Sequence, residues 1–107
     1  MSSTEEAVEA RLGPVAQIPL GEGRAFLVGD EPVAVFRTRP GGLHALRAIC
    51  PHRGGPLADG LTDGDVVMCP LHNHQFSLVD GSCTTGADPV TAYAATDDDG
   101  ELVVTVR

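Results

Sequence analysis

Four side chains in this chain are spaced to hold a metal. Cys50-Pro51-His52 and Cys69-Pro70-Leu71-His72 read Cys-x-His, sixteen residues, then Cys-x-x-His. The chain has three Cys, too few for a disulfide framework, and Cys beside His points first to metal. Two metal centres take two thiolates and two imidazoles. Zinc sites usually present a Cys-x₂₋₄-Cys pair and a His-x₃₋₅-His pair. Here each string offers one Cys and one His, which favours a 2Fe–2S cluster whose second iron carries two His in place of two Cys. Zinc, or no metal, is the rival reading. Neutral imidazoles in place of thiolates make such a site less negative and its reduced state easier to reach. The second ring nitrogen of each ligand His can also titrate, coupling protons to electrons.

The elements that position these residues read as strands. Turn signals recur at Gly29-Asp30, Pro40-Gly41-Gly42, Asp63-Gly64-Asp65, Asp80-Gly81 and Asp99-Gly100. Between them lie β-rich runs: Arg24–Val28, Val33–Thr38, Leu43–Ile49, Val66–Met68, Gln75–Val79, Val90–Ala94 and Leu102–Val106. Short strands at this spacing predict an all-β sandwich or small barrel. Residues 4–11 alone show helical potential. Residues 1–12 read as an acidic, flexible segment, and 13–107 as a single domain whose cluster-binding part spans about 48–83. Cys50 and Cys69 each end a predicted strand and lead into a loop. Residues 53–60, Arg-Gly-Gly-Pro-Leu-Ala-Asp-Gly, predict no regular structure, and their glycines let backbone N–H groups approach sulfide.

Composition excludes some functions. The net charge is −8, every basic side chain is Arg, and there is no Lys, so nucleic-acid binding is disfavoured. No apolar run approaches the roughly 20 residues that cross a bilayer. The acidic start MSSTEEAVEARLG lacks the features of a signal peptide, which predicts a cytoplasmic protein that does not bind membranes. An acidic surface suits a basic docking face on a protein partner, or serves solubility alone.

The stretch CPHRGGPLADGLTDGDVVMCPLHNHQFSLVDGSC, residues 50–83, resembles the cluster-binding region of Rieske proteins. The pattern CPH-x-GGPLADG, then CPLH, then Phe-x-Leu-x-x-Gly resembles, more narrowly, the small subunit of NAD(P)H-dependent assimilatory nitrite reductase. The upstream run GEGRAFLVGDEPVAVFRTRPGGLHAL resembles the same subgroup, and the likeness extends over residues 14 to 107. The resemblance implies stacked antiparallel sheets with a two-loop cluster-binding tip. It also implies that Cys50 and Cys69 hold the inner iron and His52 and His72 the outer one of a Rieske 2Fe–2S cluster. A large reductase subunit carrying flavin, iron–sulfur and sirohaem centres is the implied partner. The alternative is a free Rieske ferredoxin delivering electrons from a reductase to an aromatic-ring dioxygenase or another oxygenase. Neither makes this chain catalytic alone.

Other residues read plainly. Cys83 is a small buried or half-buried side chain, His44 a structural strand residue and His74 a solvent-facing loop histidine. Arg53 either contacts a partner, shields the cluster or is simply exposed. Asp97-Asp98-Asp99 forms a solvated hairpin turn into Gly100 and lacks the further oxygens of a calcium site. Pro51, Pro56 and Pro70 stiffen the loops. In the Rieske proteins of quinol-oxidising complexes a disulfide braces the two loops; Gly55 and Leu71 occupy the matching positions here. Those proteins also set Ser and Tyr hydroxyls near the cluster, where this chain has His74 and Phe76. Asn73 stands where Gly commonly follows the second ligand His, and Asn tolerates the left-handed turn. Fewer donors predict a midpoint in the lower part of the Rieske range, which spans roughly −150 to +300 mV. Protein-film voltammetry checks this, and a midpoint above about +150 mV overturns it.

Overall fold

Apolar and polar residues that alternate between turn-forming pairs drive a chain into short antiparallel strands. The computed structural model describes residues 8–39, 42–49, 57–69, 74–85 and 88–106. Among these are nine strands: β1 (Val8–Pro14), β2 (Glu22–Val28), β3 (Glu31–Arg39), β4 (Gly42–Arg47), β5 (Leu61–Asp63), β6 (Val66–Met68), β7 (Gln75–Ser77), β8 (Ala92–Asp98) and β9 (Glu101–Val106). A six-stranded sheet has the order β1-β9-β8-β4-β3-β2, and a smaller one the order β5-β6-β7. Every pairing is antiparallel. The described residues contain no α-helix, so none is long and apolar enough to cross a membrane.

The β8–β9 hairpin shows how the turn residues act. Asp98 pairs with Glu101, leaving Asp99 and Gly100 as the two-residue loop. Both adopt left-handed backbone, with φ of 55° and 92°, the requirement of the type I′ turn that suits the twist of a hairpin. Gly100 N–H donates to the Asp97 carboxylate at 2.6 Å. The turn expected here is therefore present, with Asp97 and Asp98 inside β8 and only Asp99 in the loop. Arg11 on β1 pairs with Asp98 at 2.9 Å and Glu101 at 2.8 Å. These contacts are exposed and contribute little to stability.

β3 divides the apolar interior. Val33, Ala34, Val35 and Phe36 are all fully buried. Successive side chains point to opposite faces of a strand, so Ala34 and Phe36 enter one core and Val33 and Val35 the other. The second core includes Ile18, Ala45, Leu102 and Val104. The first is shared with the small sheet and includes Leu46, Leu57, Val67, Cys69 and Phe76. Gly23 on β2 lets this packing close: a Cβ there would overlap the Phe36 ring and crowd the Ala58 carbonyl. The Thr62 hydroxyl on β5 donates to the Gly21 carbonyl at 2.7 Å, fastening the small sheet to β2.

Two expectations are corrected, and one strand was not foreseen. Residues 8–12, read as flexible with helical potential, belong to β1, which pairs with β9 from Val8↔Val106 to Arg11↔Val103. β9 offers an open edge, and Ala10 and Leu12 pack on the second core, outweighing a short and marginal helix. β5 carries too little apolar patterning to be read from sequence and forms by pairing with β6. Within 53–60, Leu57–Asp59 makes a 3₁₀ turn because buried Leu57 anchors it. Strand ends also shift: the run Val90–Ala94 becomes Ala92–Asp98, and Leu43–Ile49 becomes Gly42–Arg47.

Tyr93 on β8 ties three strands together. Its hydroxyl donates to the Glu31 carboxylate on β3, which Arg47 on β4 approaches at 3.1 Å. Burial first, and the bond to Glu31 second, push the phenol from 10.0 up to about 12, with Arg47 opposing. A raised folded-state value favours the neutral phenol in the native protein. That stabilisation is complete below pH 10.0 and disappears as the pH rises through about 12. Tyr93 is the single Tyr and there is no Trp, so tyrosinate absorbance reads it alone. The folded protein should titrate near 12, with its urea midpoint falling across this window. A native-state titration at 10.0 overturns the assignment.

Candidate metal centre

Of the four sequence-predicted ligands, Cys69 lies within the described residues; Cys50, His52 and His72 lie outside them, as do Arg53, Gly55, Leu71 and Asn73. Cys69 follows β6 directly and is fully buried. It shares the first core with Ala48, Leu57 and Phe76. Its N–H donates to the His74 carbonyl at 2.8 Å, closing the base of the segment that carries His72. The other motif has the same device: Leu57 N–H donates to the Ala48 carbonyl at 2.8 Å, across the segment carrying Cys50 and His52. Both segments therefore leave from one apolar cluster.

The residue types of the four candidate ligands fit an iron–sulfur group. Two thiolates and two imidazoles match the donor set of a mixed-ligand 2Fe–2S cluster. The apolar wall around Cys69 excludes water, which a sulfur-rich centre needs to control its potential. Phe76, fully buried in the same core, offers no donor.

The segment after β7 was not singled out by sequence. Residues 82–85 run back along the free edge of β7: Ser77 N–H donates to the Ser82 carbonyl at 2.7 Å and Thr84 N–H to the Gln75 carbonyl at 2.8 Å. Cys83, half-buried as expected, bridges to Phe76 and packs against the first core. Thr85 is the node. Its Oγ1 accepts the Gln75 N–H at 3.1 Å and lies 2.9 Å from His74 Nδ1 and 3.4 Å from Cys83 Sγ. A hydroxyl has one proton and two lone pairs, so these three contacts use its full capacity. His74 is thus half-buried and held by Thr85. No motif around Thr85 announces this, because its partners arrive only when the chain turns back at Asp80-Gly81. His44 sits in β4 as expected; its Nε2 is buried without a hydrogen-bond partner among the described residues.

A family model for the Rieske [2Fe-2S] domain matches residues 9–103. The chain is 31% identical over 97 residues to the ferredoxin subunit of anthranilate 1,2-dioxygenase from Burkholderia cepacia, covering 89% of each. It is 46% identical over 68 residues to a cholesterol 7-desaturase of Xenopus laevis, where the match takes in 63% of this chain and 15% of that much longer protein. Among solved structures, it superimposes with a TM-score of 0.86 on a Mycobacterium tuberculosis protein proposed as an NADH-dependent nitrite reductase small subunit. That pair is 27% identical, with 94% of this chain and 96% of the other covered.

Thr85→Val keeps the shape and removes the node. The Gln75 N–H then loses its acceptor, a loss of about 1 kcal/mol for a half-exposed group. The Gln75 amide should exchange with solvent about fivefold faster, read by hydrogen exchange. Unchanged exchange at Gln75 would show that Thr85 holds nothing.

Proposed function

Because the chain belongs to the Rieske [2Fe-2S] domain family and is an electron-transfer protein binding that cluster, we propose that it is the small subunit of an NAD(P)H-dependent nitrite reductase. The cluster supplies reversible one-electron chemistry when bound. In this reading Cys50 and Cys69 hold one iron and His52 and His72 the other. The Ala48–Leu57 and Cys69–His74 backbone bonds fix where the two loops begin and end. The burial of Cys69 keeps water from its sulfur, and buried Phe76 fills the adjoining core.

The observation that carries this reading is the near end-to-end superposition on the Mycobacterium tuberculosis protein, joined to the GGPLADG string at residues 54–60. NAD(P)H, flavin and nitrite would bind the large subunit, and the pair would work in the cytoplasm. A second reading has its own support. The likeness to the Burkholderia ferredoxin subunit spans 89% of both chains, which suits a free carrier serving an oxygenase.

Co-purification separates the two. A small subunit should elute as a stable complex with a sirohaem-containing large subunit; a carrier should elute alone and reduce an oxygenase. Cys50→Ser and Cys69→Ser should each abolish the reduced-Rieske EPR signal. A normal signal in either variant refutes the ligand assignment, and stoichiometric zinc in place of iron refutes both redox readings.

A further inference from the structure

An apolar surface outside the site lies on the small sheet. Leu61 on β5 is 76% exposed. It pairs with Met68, which pairs with Gln75, while Asp63 pairs with Val66. Alternation along the strands puts Leu61, Asp63, Val66 and Met68 on the face opposite buried Val67 and Phe76. Leu61 stands between two open troughs. One, of about 380 Å³, is lined by Leu61, Asp63, Val66 and Met68. The other, of about 400 Å³, shares Leu61 and Thr62 and is also lined by Glu22 and Asp59. Met68 immediately precedes Cys69, so this face adjoins a proposed cluster ligand.

Charge says what covers it. Residues 1–53 hold six acidic residues and six Arg; residues 54–107 hold nine acidic residues and only Arg107. The whole net charge therefore belongs to the second half. Residues 57–85, which build the small sheet, contain Asp59, Asp63, Asp65 and Asp80 and neither Arg nor Lys. An apolar ridge in an acidic field is complementary to an apolar side chain within a basic rim. A second copy of this face would set acid against acid, and a phosphate-bearing surface would be repelled in the same way.

We propose that the outer face of the β5-β6-β7 sheet, centred on Leu61 and rimmed by Asp59 and Asp63, docks a redox partner protein that presents an apolar side chain inside a ring of Lys and Arg. This rests on the electron-transfer reading and adds where the partner sits. The carboxylates steer the encounter at long range, and Leu61 with Met68 and Val66 supplies the desolvated contact that holds it.

The test uses the cluster-loaded, reduced protein and a basic cytochrome c, whose exposed haem edge lies within a ring of lysines. Stopped-flow electron transfer is followed at several salt concentrations. Leu61→Asn should lower the second-order rate constant about fivefold while preserving the salt dependence. Asp59→Asn with Asp63→Asn should flatten the salt dependence. Leu27→Asn, at a 71% exposed position on β2, is the control and should match wild type. A Leu61→Asn rate equal to wild type, an equal loss in Leu27→Asn, or a salt-independent wild-type rate overturns the proposal. So does sedimentation showing a dimer that Leu61→Asn dissolves, since the face would then serve self-association. The EPR signal of each variant is recorded first, so failure of the redox reading is distinguishable. Co-sedimentation with the oxidised cytochrome, in which Leu61→Asn should weaken binding, tests the face without electron transfer.

Discussion

The rest of the molecule depends on one apolar contact: the small sheet laid against the β3–β4 face of the large one. Phe36 and Leu46 come from the large sheet, Val67 and Phe76 from the small one, and Leu57 from the turn between them. All five are fully buried. Burying a large apolar side chain is worth about 1.5–3 kcal/mol, so this cluster is what makes a three-stranded sheet of three-residue strands viable. Strands this short would not persist alone in water. The same contact sets the position of Cys69, whose side chain is part of the cluster. The position of Cys69, the one described candidate ligand, is therefore an outcome of core packing.

Backbone bonds finish what packing begins. Leu57 to Ala48 and Cys69 to His74 pin the ends of both segments that carry the candidate ligands, and the pinned residues Ala48, Leu57 and Cys69 lie in the shared core. The segment 82–85 adds to this by covering the free edge of β7 through Ser77, Gln75 and the Thr85 hydroxyl. An uncovered edge would expose unpaired N–H and C=O groups next to the site.

Electrostatics divide the chain differently from packing. The strands of the large sheet mix residues from both halves of the sequence, whereas the small sheet comes from the acidic half alone. The small-sheet region, residues 57–85, thus carries Asp59, Asp63, Asp65 and Asp80 with no Arg or Lys, whereas the strands of the large sheet carry both signs.

The sequence by itself determined the class of fold and named the four candidate ligands. Cys-x-His and Cys-x-x-His carry their own meaning, because ligand type and spacing are local properties of the chain. The hairpin at Asp99-Gly100 was legible for the same reason: its left-handed backbone is demanded by two adjacent residues. Tertiary structure decided what depends on distant partners. Val8–Pro14 is a strand because β9 has an open edge, and Leu61–Asp63 is one because β6 lies beside it. Leu57 anchors a turn only because a core waits beneath it. Thr85 is a node because the chain folds back to bring His74, Gln75 and Cys83 to one hydroxyl. A sequence states what its neighbouring residues can do; which distant edges and faces they meet is settled only when burial brings them together.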